Sequence, residues 1–97
     1  MAKTRRLVLD VLKPHDPGKV KMANEIADIS SVSSVNCILY EVDKEVENIK
    51  LTIVGPDLNF DKIEDKIESL GGSIHSIDEI VAGENIIDEV KTPQDNE

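Results

Sequence analysis

The chain has 97 residues, with 20 Asp and Glu against 11 Lys and Arg, and a formal net charge of −9. A chain this short buries roughly two-thirds of its unfolded surface, enough for one domain with a single thin core. The acidic balance argues against nucleic acid as a partner, because affinity for a phosphate backbone comes from Lys and Arg. No apolar run approaches the roughly 20 residues of a membrane span, and the start of the chain leads into a short apolar stretch interrupted by Asp10. A cytoplasmic protein without a membrane partner is expected. Cys37 is the one cysteine, which excludes an intramolecular disulfide and a Cys-rich zinc site. Only Tyr40 and Phe60 are aromatic, so the core must be aliphatic.

A first strand is read at Leu7–Leu12, where β-branched and Leu residues run up to Lys13-Pro14. Asp16-Pro17 then signals a helix start, with Asp16 as N-cap and Pro17 at the first helical position. Val20, Ala23, Ile26, Ala27 and Ile29 follow at spacings of three and four and form its apolar stripe. A second strand is expected from Val35 to Val42 and a third from Asn48 to Val54, joined as a hairpin. Pairing Val42 with Ile49, Tyr40 with Leu51 and Ile38 with Ile53 would put all six side chains on one face. The same register sets Glu41 opposite Lys50. Asn59 caps a second helix, with Leu58 and Ile63 placed as a hydrophobic staple and Phe60, Ile63, Ile67 and Leu70 as the buried stripe. Gly71-Gly72 ends it, and Ser73–Ala82 is a fourth strand.

The two halves repeat. Leu9, Val11, Leu12 and Pro14 recur in order as Leu51, Ile53, Val54 and Pro56, and Met22, Ile26 and Ile29 recur as Ile63, Ile67 and Leu70. Two interleaved right-handed β-α-β units give an α+β, ferredoxin-like βαββαβ sandwich. Its four-stranded antiparallel sheet has the order 4-1-3-2, with both helices on one face. This domain is expected over residues 1–83, followed by an acidic C-terminal tail over 84–97. In the tail Ile86, Ile87 and Val90 are placed to dock, while Thr92–Glu97 is too polar to order. Val8, Leu12, Leu39 and Val54 are assigned to the face without helices, where another subunit would cover them.

Several stretches then carry a resemblance: Leu9-Asp10-Val11-Leu12-Lys13-Pro14-His15, Leu39-Tyr40-Glu41-Val42-Asp43, Glu47-Asn48-Ile49-Lys50-Leu51-Thr52-Ile53, and above all Gly71-Gly72-Ser73-Ile74-His75-Ser76-Ile77-Asp78-Glu79. The sequence resembles the archaeal domain-of-unknown-function family two-hundred-and-eleven, which is uncharacterised. The resemblance extends from about Arg5 to Gly83. It implies a ferredoxin-like fold and a ring-like homo-oligomer, and it supplies no activity.

Antiparallel neighbours bring the end of the first strand beside the start of the fourth. Lys13 and His15 are therefore expected near His75, and Asp10 near Ser76 or Asp78. These six residues are the candidate ligand-binding set. Two imidazoles with carboxylates can ligate zinc or another divalent ion, so a divalent metal ion is the cofactor considered, on His15, His75, Asp10 and Asp78. Glu41 and Asp43, with Glu45 and Glu47 around the hairpin, form a weaker oxygen-only candidate; a charged, solvated hairpin is the simpler reading. Cys37 lies in a strand, where a buried thiol is commoner than a reactive one.

Other uses of the fold fail on residue type. The central strands lack the aromatics on which RNA bases stack, and the first loop lacks both the Cys pair of a copper chaperone and the Arg of an acylphosphatase-like phosphate loop. No catalytic residue is assigned. The reading is a non-enzymatic, self-associating domain that binds a small ligand or divalent metal ion at subunit contacts. The alternative is a small metal-dependent enzyme using Asp10, His15, His75 and Asp78. Lys3, Arg5, Arg6, Lys13, Lys19 and Lys21 crowd the first part of the chain, so charge alone would favour head-to-tail contact between copies and salt-sensitive assembly.

Overall fold

Alternation of Leu7, Leu9 and Val11 with Val8, Asp10 and Leu12 builds β1 (Thr4–Pro14). It is followed by α1 (Lys19–Ala27), β2 (Ser34–Val42), β3 (Val46–Val54), α2 (Phe60–Ser69) and β4 (Ser73–Ala82). The computed structural model of the chain describes residues 2–90. Its strands form one antiparallel sheet in the order β2-β3-β1-β4, which is the expected ferredoxin-like topology. The expectation for Thr92–Glu97 lies outside the described residues.

The core forms on one face of the two central strands. Leu7, Leu9 and Val11 pair with Ile53, Leu51 and Ile49, and α1 lays Met22 and Ile26, and α2 lays Ile63 and Ile67, against them. Each such aliphatic side chain contributes roughly 1.5–3 kcal/mol by leaving water. At the start of α2, Asn59 Oδ1 accepts from the Lys62 amide at 3.2 Å, the expected N-cap.

The start of α1 differs from expectation. Extended Gly18 (φ −71°, ψ 170°) holds the N-cap position without a side-chain bond, so Asp16 and Pro17 lie outside the helix. The buried stripe is correspondingly the one picked out by the internal repeat, Met22 and Ile26 with Ile29 packed beside them. Val20 is 76 % exposed.

The hairpin register also differs. Leu39, Cys37 and Val35 oppose Ile49, Leu51 and Ile53, and an irregularity at Tyr40 shifts the pairing, so that Glu41 opposes Asn48 and Val42 opposes Glu47. Ile38, not Glu41, faces Lys50. The cause is a turn tighter than the composition of the loop suggests. Asp43 Oδ1 accepts from the amides of Glu45 and Val46, each at 2.9 Å, and the Asp43 amide donates to the Val46 carbonyl at 3.0 Å. An Asp that binds the backbone two and three residues on closes the turn by itself, and the strands then run directly to Val42 and Val46. Val35 and Cys37 therefore pack on the core, while Ile38, Tyr40 and Val42 remain exposed.

Val8, Leu12 and Val54 do lie on the uncovered face, opposite Thr52, Asn48 and Arg6, but Leu39 shares the helix face with Ile49. Exposed apolar side chains gather instead on the two edge strands, at Ile38, Leu39, Tyr40 and Val42 of β2 and at Ile77 and Ile80 of β4. Beyond β4, Arg6 holds the chain through Nη2 to the Ile87 carbonyl at 3.3 Å and Nη1 to Asp88 at 3.4 Å. Ile86, Ile87 and Val90 stay exposed, so polar contacts rather than apolar docking seat this segment.

Gly55 is required by close approach: a Cβ there would collide with the Ser31 carbonyl and lie 2.8 Å from Leu58. Backbone oxygen cannot yield as a flexible side chain does. Gly55→Ala is expected to destabilise the domain by roughly 1–3 kcal/mol, and Ile67→Ala by about 2–5 kcal/mol. Denaturant unfolding checks both, and a Gly55→Ala midpoint equal to wild type would remove the close-approach argument.

Candidate functional site at the hairpin end of the sheet

The inward alternation of β1 continues past Val11 to Lys13, and that of β3 begins before Ile49 at Glu47. These two residues are register partners, so a lysine and a glutamate occupy the last layer of an otherwise apolar face. Lys13 is only 1 % exposed. A buried ammonium must be paired or hydrogen-bonded, and Lys13 Nζ donates to the Pro14 carbonyl at 2.7 Å and to Glu47 Oε1 at 3.3 Å. From the start of α1, Lys19 Nζ reaches the same oxygen at 3.4 Å. The other oxygen, Oε2, lies 3.0 Å from His15 Nδ1.

Lys13, Lys19 and, when protonated, His15 therefore bring positive charge to one buried carboxylate. They hold Glu47 well below the ordinary carboxylate range, at about 2, with the His15 hydrogen bond the largest cause and Lys13 next among the favourable ones. The imidazole is pushed in the complementary direction, up from its ordinary value, again chiefly by its bond to Glu47. Its second nitrogen, Nε2, faces the Asp43 carbonyl at 2.9 Å. The turn amides of Val46 and Glu45 lower Asp43 in turn. Beside the cluster, burial raises the Cys37 thiol, which leaves it a poor nucleophile. Among the described residues, no buried side-chain nitrogen or oxygen lacks a hydrogen-bond partner. The arrangement ties β1, the turn and α1 together and leaves no activated base or nucleophile.

The residues expected at the β1/β4 seam separate into three places. Asp10 and Ser76 are direct register partners; Asp10 accepts from Asn48 Nδ2, and Ser76 Oγ donates to Asp78 Oδ1 at 2.6 Å. Lys13 and His15 are instead drawn to the hairpin side by Glu47. His75 stands exposed on the outer edge strand β4, so the expected meeting of the two histidines does not occur. Of the weaker hairpin candidates, Glu41 and Asp43 line a cavity of about 100 Å³ with Leu12 and Asn48, and Asp43 already serves the turn. Among the described residues, no three His, Cys, Asp or Glu side chains are grouped to hold a metal ion. The groove between the helices sets Glu25, Asp28 and Asp65 against Lys62 and Lys66, with Lys66 Nζ 3.8 Å from Glu25, and so presents no single-signed field to a ligand. No helix among the described residues is long and apolar enough to cross a membrane.

Lys19 belongs to neither expected set, and Glu47 is expected only in the weaker oxygen-only group at the hairpin, not beside Lys13 and His15. The signal for Glu47 was available in the period-two patterns: Lys13 lies two residues beyond Val11, and Glu47 two before Ile49.

Comparison with known proteins finds a family and a relative that carry no assigned activity. The family described as "Uncharacterized ArCR", domain of unknown function 211, matches residues 5–96. An uncharacterised protein of Methanocaldococcus jannaschii is 58 % identical over 91 residues, covering 94 % of each chain.

Glu47 fixes the acid limb of stability. The unfolded carboxylate protonates near its ordinary 4.5, whereas the folded one resists until about 2, so its stabilisation is complete above the first value and is lost as pH falls through the second. Glu47→Gln is expected to flatten the dependence of the urea midpoint on pH between these values. An unchanged acid slope would remove Glu47 from that role.

Proposed function

The chain belongs to this uncharacterised archaeal family, and from that premise we propose that it is a non-enzymatic domain that self-associates edge to edge into a closed homo-oligomer. One observation carries the reading: within the sheet, Val46 apart, the large apolar side chains left in water lie on the edge strands, Ile38, Leu39, Tyr40 and Val42 on one and Ile77 and Ile80 on the other. Edge strands also present unpaired backbone groups that another copy can engage. The two edges are unlike. An isologous dimer through either one leaves the other in water, whereas head-to-tail contact covers both and repeats until the ring closes.

Charge is the weaker contributor, because the basic residues near the start of the chain are engaged within it. Arg5 Nε donates to the Gly83 carbonyl at 2.7 Å, Arg6 Nε to Glu79 at 2.9 Å, and Lys13 and Lys19 to Glu47. Assembly is therefore expected to persist at high ionic strength, in contrast to the salt sensitivity that the charge distribution alone suggests.

A small polar ligand at the subunit contact has Asp10, Ser76 and Asp78 as its candidate partners, with the cytoplasm as the proposed compartment. The divalent ion and the metal-dependent enzyme are not carried forward, since their histidines and carboxylates lie apart. The test is complementation. Ile38→Lys and Ile80→Lys are each expected to weaken assembly roughly tenfold or more, as for loss of an apolar anchor, with the circular dichroism spectrum unchanged. Mixing the two variants restores one intact edge pair, so light scattering should read a heterodimer. Wild type that stays monomeric at every accessible concentration would overturn the proposal, and mixing without rescue would replace head-to-tail with isologous contact.

A further inference from the structure

His15 sits between two groups that can only accept. Nδ1 faces the Glu47 carboxylate at 3.0 Å and Nε2 faces the Asp43 backbone carbonyl at 2.9 Å. A neutral imidazole carries one N–H and one lone pair, so it can satisfy one of these partners and must oppose the other. Only the doubly protonated ring satisfies both. We propose that His15 is a proton-operated latch on the β2–β3 turn: the imidazolium ties the turn to the loop between β1 and α1, and the neutral ring releases the turn while keeping Glu47.

Which contact is lost follows from the neighbouring charges. Glu47 from β3 is the charged acceptor, and a hydrogen bond to an ionised group is roughly twice as strong as one to a neutral carbonyl. Lys13 from β1 and Lys19 from α1 share Glu47, so the carboxylate remains ionised and in place when the ring loses its proton. Asp43, at the turn, directs its own carboxylate oxygen Oδ1 to the amides of Glu45 and Val46. Cys37 on β2 borders the cluster with its thiol raised by burial. None of these groups replaces the lost donor at the Asp43 carbonyl. The neutral ring therefore keeps its proton on Nδ1, and Nε2 turns a lone pair toward the carbonyl.

The latch acts where the self-association surface begins, because Val42 and Val46 flank the turn and both are exposed. Control of assembly by the latch rests on the self-association reading; control of the turn does not.

Nitrogen-15 NMR of the imidazoles over a pH series, with amide exchange of residues 43–46 recorded on the same samples, tests the latch. His75, on the outer edge strand, provides the internal reference. The expected results are a His15 midpoint above the ordinary value of about 6.5, an Nδ1–H tautomer in the neutral form, and turn amides that exchange roughly two- to tenfold faster across that midpoint, the effect of one net hydrogen bond. His15→Gln, which cannot titrate, should lack the step when compared at equal pH. An Nε2–H tautomer, a midpoint at or below the ordinary value, or turn exchange that shows no step beyond that of His15→Gln overturns the latch. Light scattering on the same series separates the two readings. A monomer that shows the exchange step keeps the latch and loses self-association, and an oligomer without the step does the reverse.

Discussion

The pairing of β1 with β3 is the constraint on which the rest of the molecule depends. A single register places Leu7, Leu9 and Val11 against Ile53, Leu51 and Ile49, and the same register sets Lys13 against Glu47. Because side chains alternate, a slip of one residue would turn the whole apolar set to the uncovered face and expose the core. It would also strand a buried ammonium without its carboxylate. Hydrophobic burial and ion pairing thus select the same alignment. The apolar rows contribute most of the free energy, while the Lys13–Glu47 pair penalises the alternatives, the use for which a buried polar pair is best suited.

From that alignment the site follows with few further choices. Glu47 must sit at the last inward position of β3, which fixes where the turn begins. Asp43 closes the turn with its own side chain, and the closure brings the Asp43 carbonyl within 2.9 Å of His15. Pro14 ends the ladder of β1, so the chain leaves the sheet at His15 on the side where Glu47 waits. Lys19, in the first turn of α1, adds its charge from a third element. Loop, strand and helix are tied by one carboxylate, and Arg6 makes a second tie at the opposite end of β1. The uncovered face is accordingly crossed by polar contacts, and the apolar surface that remains lies at the edges.

Most of the architecture was legible in the sequence because it is written twice. Met22 and Ile26 answer Ile63 and Ile67, Asn59 declares its helix by its side chain, and the order of elements admits few topologies. What was not legible depended on short-range turn chemistry and on patterns followed one step too few. Maximising apolar pairs across the hairpin assigns Ile38, Tyr40 and Val42 to the core. The Asp43 turn selects Val35 and Cys37 instead and leaves Leu39 exposed on the same face. Strand adjacency alone puts both histidines at the β1/β4 seam. Topology fixes which strands are neighbours, but it does not fix which side a loop takes after Pro14, and Glu47 decides that.

The register of β2 decides which apolar side chains its open edge presents. A register that turned Ile38, Tyr40 and Val42 to the helices would have set Val35, Cys37 and Leu39 outward in their place, so either alignment leaves apolar side chains on this edge. The protein carries a net charge of −9, and yet Ile38, Tyr40 and Val42 on its open strand are apolar and exposed. In the proposed assembly, like charge keeps copies apart over the roughly 10 Å across which it is unscreened, and apolar contact holds them together once they meet. The irregularities in the β1–β4 pairing, which pass over Asp78 opposite Val8–Leu9 and His75 opposite Asp10–Val11, interrupt the β4 edge and disfavour indiscriminate ladder growth. In that proposed assembly apolar side chains rather than long runs of backbone bonds would specify the neighbour, and unlike edges would make that specification directional.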